Sequence, residues 1–558
     1  MFERFRNFIK SHYQSILIFI SILLIISPVI LSRQLNDLDE IWNYNFAKNI
    51  ADGLIPYKDF NMLQTPLLPF INGLLLKVFG NELFTMRILA TFLISSIFFM
   101  FYKILKKLNV NIFYNLICIF LLFLLLKDYI CIDYNFSILF LILILIYLEL
   151  NYYLKNNIPK NSLENNEFKN NNLINDKIKN NTNKNNLIIN KKQLKKSNYL
   201  FFNFLIGFIC GCCILLKQST GIFISLASVL YPILFIKNKI NFKNYIKISF
   251  IKILGILIPI ILLIIYLLIN NALYDFIDYT ILGIKTFTNS IPYNYLLNSS
   301  NLVIKILSIF TPIFIIFSGI YLWIKKEKKL YNIFFYSLAS LIVIYPISDN
   351  IYFLIGIMPL FILFFYLLFE FLKLIINKLD KIIKNKNLIF MHNLITKIKL
   401  FFNAFLKIFI ILIFIYIIIL FNIFINNYFN NFELKHNINH YKNISISKGL
   451  LNKINIIDNY ILSQNNNVYI LDAEAAIHMI PINKYNKNYD MFLKGNLGSQ
   501  GEIGQIELIK NLESGTKILI KNNKYSLNWQ TPINVINYIR NNFNKIGEIS
   551  IFDIYEIN

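Results

Sequence analysis

ILIFISILLIISPVIL, residues 16–31, is an uncharged, mostly apolar run with basic residues before it (Arg4, Arg6, Lys10) and the acidic string NDLDE, residues 36–40, after it. A run of this kind is long enough to enter a bilayer, whose core takes roughly 20 mostly apolar residues per helix. The basic flank would also suit a signal peptide, but acids follow where a small-residue cleavage pattern would stand, so the run reads as a retained span. That reading makes this a membrane chain and leaves a question about why three carboxylates, Asp37, Asp39 and Glu40, gather at the end of the span.

The rest of the chain has the same character. Its 558 residues are 56% hydrophobic and 16% aromatic, with a mean hydropathy of +0.54, well above a soluble mixture. Apolar windows fall near 15–32, 83–102, 111–127, 132–154, 199–216, 219–236, 248–269, 302–323, 331–347, 352–372 and 400–425. The net charge of +25 sits between these windows. Every second connection is basic: Arg4 to Lys10, Lys103/Lys106/Lys107, Lys155 to Lys196, Lys237/Lys239/Lys243, KKEKK at 325–329 and Lys373 to Lys399. The positive-inside rule therefore puts the N-terminus in the cytoplasm of a multi-pass plasma-membrane protein, and accounts for the charge without a nucleic-acid partner. The acids after the first span then face outward, as does everything beyond residue 426.

The five cysteines, Cys118, Cys131, Cys210, Cys212 and Cys213, lie in or beside apolar windows without histidines at ligand spacing and read as packing residues. Residues 155–197 are dominated by Asn and Lys and have no periodic apolar face, which predicts a disordered cytoplasmic loop. After about residue 430 the texture turns to short β-rich runs (VYIL, KILI, ISIFDIYEI) between helical stretches such as INVINYIRNNF. The fold class expected is thus an all-α polytopic membrane bundle of eleven helices over residues 1–426, with a small C-terminal extracytoplasmic α/β domain over 427–558. In that domain GNLGSQGEIG lacks the spacing of a nucleotide-binding loop and reads as a plain loop, and Asp472, Glu474 and His478 in LDAEAAIHM read as an ordinary strand end.

The chemistry is expected in the first outward loop, residues 33–82. After DLDE, Ile41, Tyr44, Ala47 and Ile50 recur every three residues, which predicts an amphipathic helix lying along the interface. GLIPYKDF then adds a turn with Tyr57 and Asp59, and PLLPFINGLLLKVFG is a short second apolar stretch. Asp128 in LLLKDYICID, Lys217 in CCILLKQSTGIF and Arg87 in LFTMRILATF are bracketed by apolar residues, where a charge costs about 2.5–3.5 kcal/mol on insertion scales and marks a candidate functional site. Gln218, Ser219 and Thr220 extend the polar notch at Lys217. Carboxylates and cations on one face of a bilayer suit sugar transfer from a lipid phosphate. The leaving phosphate needs cations, and the incoming hydroxyl needs a base. The same acids would alternatively hold a divalent cation.

These blocks resemble the integral-membrane glycosyltransferases of the C-type fold that use polyprenyl-phosphate sugars, in the branch of protein O-mannosyltransferases and lipid A aminoarabinose transferases. The resemblance covers about residues 1–370 and rests on Asp39-Glu40 after the first span, GLIPYKDF followed by TPLLPF, FGNELFTMRIL, GFICGCCILLKQSTGIF and, more weakly, NIYFLIGIMPLF. It implies Asp39 as catalytic base, with Glu40 beside it orienting acceptor or metal, and Lys217 and Arg87 as contacts to the donor phosphate. Asp37, Tyr57, Asp59, Asp128 and Gln218 complete the candidate substrate contacts. Where some relatives carry a lysine before the Pro-Leu of the first loop, this chain has the neutral Gln64. Substrates would be a polyprenyl-phosphate-linked sugar and an extracytoplasmic glycan, lipid or protein acceptor.

Two other classes compete. A transporter or flippase of lipid-linked oligosaccharides predicts internal repeats and charges near the midplane of several spans, whereas the charges in this sequence read as gathered at one face. A glycan polymerase or ligase places its cations in a late outward loop, where residues 270–301 hold only Lys285. A third alternative is an inactive sensor whose outward domain is the working part.

Overall fold

The structure, a computed structural model, describes residues 2–35, 38–156, 181–235, 239–286, 291–386, 415–416, 418–423, 425–426, 438–486, 489–525 and 531–557. The membrane-bundle helices are α1 (Phe2–Leu31), α2 (Leu38–Ala51), α3 (Leu67–Phe79), α4 (Leu83–Lys107), α5 (Ile112–Leu126), α6 (Tyr134–Asn156), α7 (Asn181–Leu216), α8 (Gln218–Leu230), α9 (Lys239–Ile269), α10 (Leu273–Thr280), α11 (Asn294–Leu297), α12 (Leu302–Lys325), α13 (Lys328–Ser340) and α14 (Asn350–Lys386). Among the described residues, seven stretches are long and apolar enough to cross a membrane: Tyr13–Leu31, Leu83–Lys107, Tyr134–Leu154, Tyr199–Leu216, Phe242–Ile269, Leu302–Lys325 and Asn350–Lys378. Leu67–Phe79, Ile112–Leu126 and Gln218–Leu234 are shorter apolar helices. The expected window at 400–425 lies mostly outside the described residues, and Asp37 and residues 157–180 of the expected disordered loop lie outside them altogether. Residues 181–197 of that loop are helical instead, because extending a helix from the apolar segment that follows is far easier than starting one.

Small residues set the closest packing. A Cβ on Gly207 would stand 2.0 Å from the Lys252 carbonyl oxygen, and one on Gly255 would stand 2.3 Å from that of Phe204. Helices α7 and α9 therefore touch backbone to backbone, the close approach that glycine permits inside membranes. Beside this contact lies an ionic network that the sequence reading missed. Lys252 Nζ is 3.0 Å from Glu149 Oε1 and donates to the Ser228 carbonyl at 2.8 Å, while the Tyr231 hydroxyl donates to Glu149 Oε2 at 2.6 Å. Glu149 and Lys252 lie inside two of the apolar stretches, so the expectation that charges gather at one face is corrected. Each is masked by its partners, which is how a buried ion pair is tolerated.

At Lys217 the chain doubles back. Lys217 is extended (φ −151°, ψ 108°), ending α7 and starting α8, and Gly221 passes so near the last turn of α7 that a Cβ would lie 2.3 Å from the Ile214 nitrogen and 2.4 Å from the Cys213 carbonyl carbon. Both neighbours are backbone and cannot swing away. Gly221→Ala is expected to destabilise the hairpin by about 1–3 kcal/mol, read as a lower thermal midpoint in detergent; an unchanged midpoint would contradict this packing.

The C-terminal domain is a four-stranded sheet of order β1-β2-β4-β3, with β1 (Val468–Leu471), β2 (Lys517–Lys521), β3 (Asn544–Ile549) and β4 (Phe552–Glu556). Strands β1 and β2 pair in parallel and the rest antiparallel. Alternation along β1 sends Val468 and Ile470 to one face, against Ile457 and Ile461 of α15 (Lys448–Ser463) and Ala475 and Met479 of α16 (Ala475–Met479). Tyr469 and Leu471 go to the other face, against Ile509 of α17 (Gly501–Lys510) and Val535, Ile536 and Ile539 of α18 (Ile533–Asn542). The run ISIFDIYEI is split by a hairpin turn at Ser550 (φ 56°). The expected loop GNLGSQGEIG is a loop through Gln500 only, since Gly501 opens α17.

Candidate active site

Helix α2 positions the acids, and its environment corrects the expectation of a helix on the membrane surface. Every residue from Glu40 to Asn49 is buried, including Asn43, Asn45 and Lys48. The helix is enclosed between the bundle and the C-terminal domain. Trp42 Nε1 donates to the Ala473 carbonyl at 2.9 Å, Asn45 Nδ2 to Asp490 Oδ1 at 3.1 Å, and the Tyr485 hydroxyl to Asp52 Oδ2 at 3.1 Å. The Tyr44 hydroxyl lies 3.1 Å from His440 Nδ1. Apolar residues spaced by three made one face visible, but part of the polar face is covered by residues more than 350 positions away in sequence.

Asp39 and Glu40, adjacent in sequence, diverge in role. Glu40 is 1% exposed and Arg87 0%. Arg87 donates through Nε to Glu40 Oε1 at 3.0 Å and through Nη2 to Oε2 at 2.8 Å, and Nη1 bonds the Arg33 carbonyl. This planar two-bond pairing engages both carboxylate oxygens and fixes α2 to α4. It takes Glu40 away from acceptor or metal contact and Arg87 away from a donor phosphate, so both expectations are corrected to a bracing role. An Asp39–Glu40 chelate for a divalent cation does not fit this arrangement. Among the described residues there is also no group of three or more His, Cys, Asp or Glu side chains arranged to hold a metal.

Asp39 instead faces Lys217. Three carboxylates, those of Asp133, Asp349 and Asp39, lie within electrostatic reach of the Lys217 ammonium. Lys217 Nζ donates to Asn135 Oδ1 at 2.9 Å, and Asn135 Nδ2 donates in turn to Asp133 Oδ2 at 2.7 Å, which fixes the orientation of the amide. The ammonium sits 4.7 Å from the Tyr352 ring centre and 5.5 Å from that of Tyr134, whose hydroxyls are 3.0 Å apart. Two aromatic faces and three acids hold the cation in place at little mobility. Burial pulls the Lys217 ammonium down to about 8, against the opposing pull of the three acids, and burial raises Asp349 above the usual carboxylate range.

The remaining candidates are braces or lie apart. Tyr57 is buried with φ 73°, donates to the Gln64 carbonyl at 2.7 Å and meets Phe276 edge-on. Asp59 accepts from the Ile55 backbone nitrogen at 2.7 Å and closes its own turn. Gln218 donates to the Thr280 carbonyl at 3.3 Å, and Gln64 to Asn43 Oδ1 at 3.2 Å. Asp128 is not embedded: α5 ends at Leu126, and the Asp128 side chain is 71% exposed beside Lys127. Asp133, Asn135, Tyr134, Asp349 and Tyr352 were missed. The available signals were Asp133 at the end of LLLKDYICID and Asp349 before NIYFLIGIMPLF, each a carboxylate at the mouth of an apolar helix.

In the C-terminal domain Lys521 pairs with Asp472 at 3.3 Å and Glu474 at 3.0 Å. His478 is 1% exposed, packs edge-on to Phe552, and is pushed down to about 3 by burial, so it is a neutral core residue. No family model matches the chain, and no curated protein matches it.

Proposed function

We propose that this chain is a plasma-membrane glycosyltransferase that moves a sugar from a polyprenyl-phosphate carrier to an extracytoplasmic glycan, lipid or protein acceptor. The reading takes the bundle as eleven spans with the Asp39 end outward. The observation that carries it is the meeting of Asp39, at the start of a buried helix, with the caged Lys217 at the tip of the α7–α8 hairpin. The acceptor hydroxyl gives its proton to Asp39 as its oxygen bonds to the anomeric carbon. The bond from that carbon to the phosphate oxygen breaks, and the lipid phosphate departs with the electron pair. Lys217, its position set by Asn135, Tyr134 and Tyr352, neutralises the charge growing on that phosphate.

The test is transfer from a labelled polyprenyl-phosphate sugar in proteoliposomes; no transfer to any class of acceptor would remove the reading. Lys217→Ala is expected to raise the donor KM roughly 10- to 100-fold through loss of a charge-assisted contact. Because the ammonium titrates near 8, wild-type donor binding should weaken as pH rises through that value. An unchanged donor KM in the variant would sink the assignment.

The buried Glu149–Lys252 pair is the observation that favours a transporter. Its groups are occupied by one another and by Ser228 and Tyr231, which favours a structural lock over a moving charge.

A further inference from the structure

Polar groups are buried between the two parts of the molecule. Asp490 is 3% exposed and Asn45 is 6% exposed, and they are joined by a 3.1 Å hydrogen bond from Asn45 Nδ2 to Asp490 Oδ1. Asn49, one turn further along α2 and 0% exposed, faces the same carboxyl. Six residues before Asn45 on that helix stands Asp39. We propose that Asp490 is a positioning residue: it latches the C-terminal domain onto the helix that carries Asp39, and its protonation sets how firmly that helix is held.

The charged group on α2 that acts on Asp490 is Lys48. Its ammonium bonds Asp52 at 2.7 Å and lies 5.0 Å from the Tyr485 ring centre, so its charge is largely answered there. From the domain side, Tyr485 bonds Asp52, and on α10 Asp278 is engaged by Ser499. Asp490 is left with the amides of Asn45 and Asn49, its own backbone nitrogen and the distant Lys48 as partners, which do not offset the cost of burying a negative charge. Burial accordingly raises its carboxyl to about 7.

The sign follows from linkage. When the domain lifts away, water returns the carboxyl to the ordinary range near 4. Between that value and about 7 the docked form holds a proton that the open form releases, so opening becomes easier by roughly tenfold per pH unit and levels off above about 7. The latch is firm in acid and loose in base. Its catalytic consequence rests on the proposed function, but the latch itself does not.

Hydrogen exchange of the α2 amides in the full-length protein, from pH 5 to 8.5, tests it. Protection factors should fall roughly tenfold per unit up to about pH 7 and then flatten. Asp490→Asn keeps an acceptor for Asn45 without a titrating proton and should hold α2 protection level across the range. Asn45→Ala should lower protection roughly fivefold throughout while keeping the slope. The same pH slope in Asp490→Asn as in wild type, or level protection in wild type, would overturn the proposal. In the transfer assay Asp490→Asn should flatten the pH profile of kcat and leave the donor KM unchanged. If no variant transfers sugar but the exchange pattern holds, the function fails and the latch stands.

Discussion

Asp39→Asn is expected to lower turnover in the transfer assay by roughly 10²–10⁴-fold, the usual contribution of a positioned general base, with the protein still folded. The amide is close in shape to the carboxylate and sits at the partly exposed start of α2, so little packing is lost. The donor KM should change less than kcat, because the base acts on the acceptor hydroxyl. Loss of one acid also removes an attraction that helps keep Lys217 charged, so the variant should show the Lys217 titration at a lower pH. Full turnover in Asp39→Asn would end its role as base whatever the acceptor.

Arg87→Ala should act on folding instead. The Glu40–Arg87 pair is almost wholly excluded from water, and removal of the arginine leaves a buried carboxylate facing the emptied space. Breaking a buried pair from one side costs about 3–5 kcal/mol, against a total stability of about 5–15 kcal/mol for a typical domain. The expected result is a large fall in folded yield and in the thermal midpoint in detergent. The double variant Glu40→Gln/Arg87→Met should recover much of the loss, since it removes both charges and keeps the volume. A stable, unchanged single variant would show that the pair does not brace α2. Were Arg87→Ala stable and defective only in donor KM, the phosphate contact first expected of Arg87 would be restored.

The fold was legible where it depends on sums along the chain. Runs such as ILIFISILLIISPVIL and the α/β texture after residue 430 correspond to helices and to the terminal sheet, because hydropathy and strand alternation are local quantities. Asp39 and Lys217 stood out for the same reason, each being a charge bordering oil. Their neighbours did not. Asn135 and Tyr352 look ordinary in sequence, Asp133 and Asp349 are marked only as acids at the mouths of apolar helices, and all four matter because α6 and α14 converge on the hairpin tip. Helix α2 was misread because part of its cover comes from residues 440–490, and a periodicity of apolar residues says nothing about a polar face that is buried by hydrogen bonds.

The sequence by itself determined that this is a helical membrane chain with a terminal α/β domain, since the free energy of moving apolar side chains out of water adds residue by residue. Only the tertiary structure decided that Glu40 closes on Arg87 while Asp39, one residue earlier, turns toward Lys217. A charge at membrane depth is defined by what surrounds it, and those surroundings come from helices far apart in the chain.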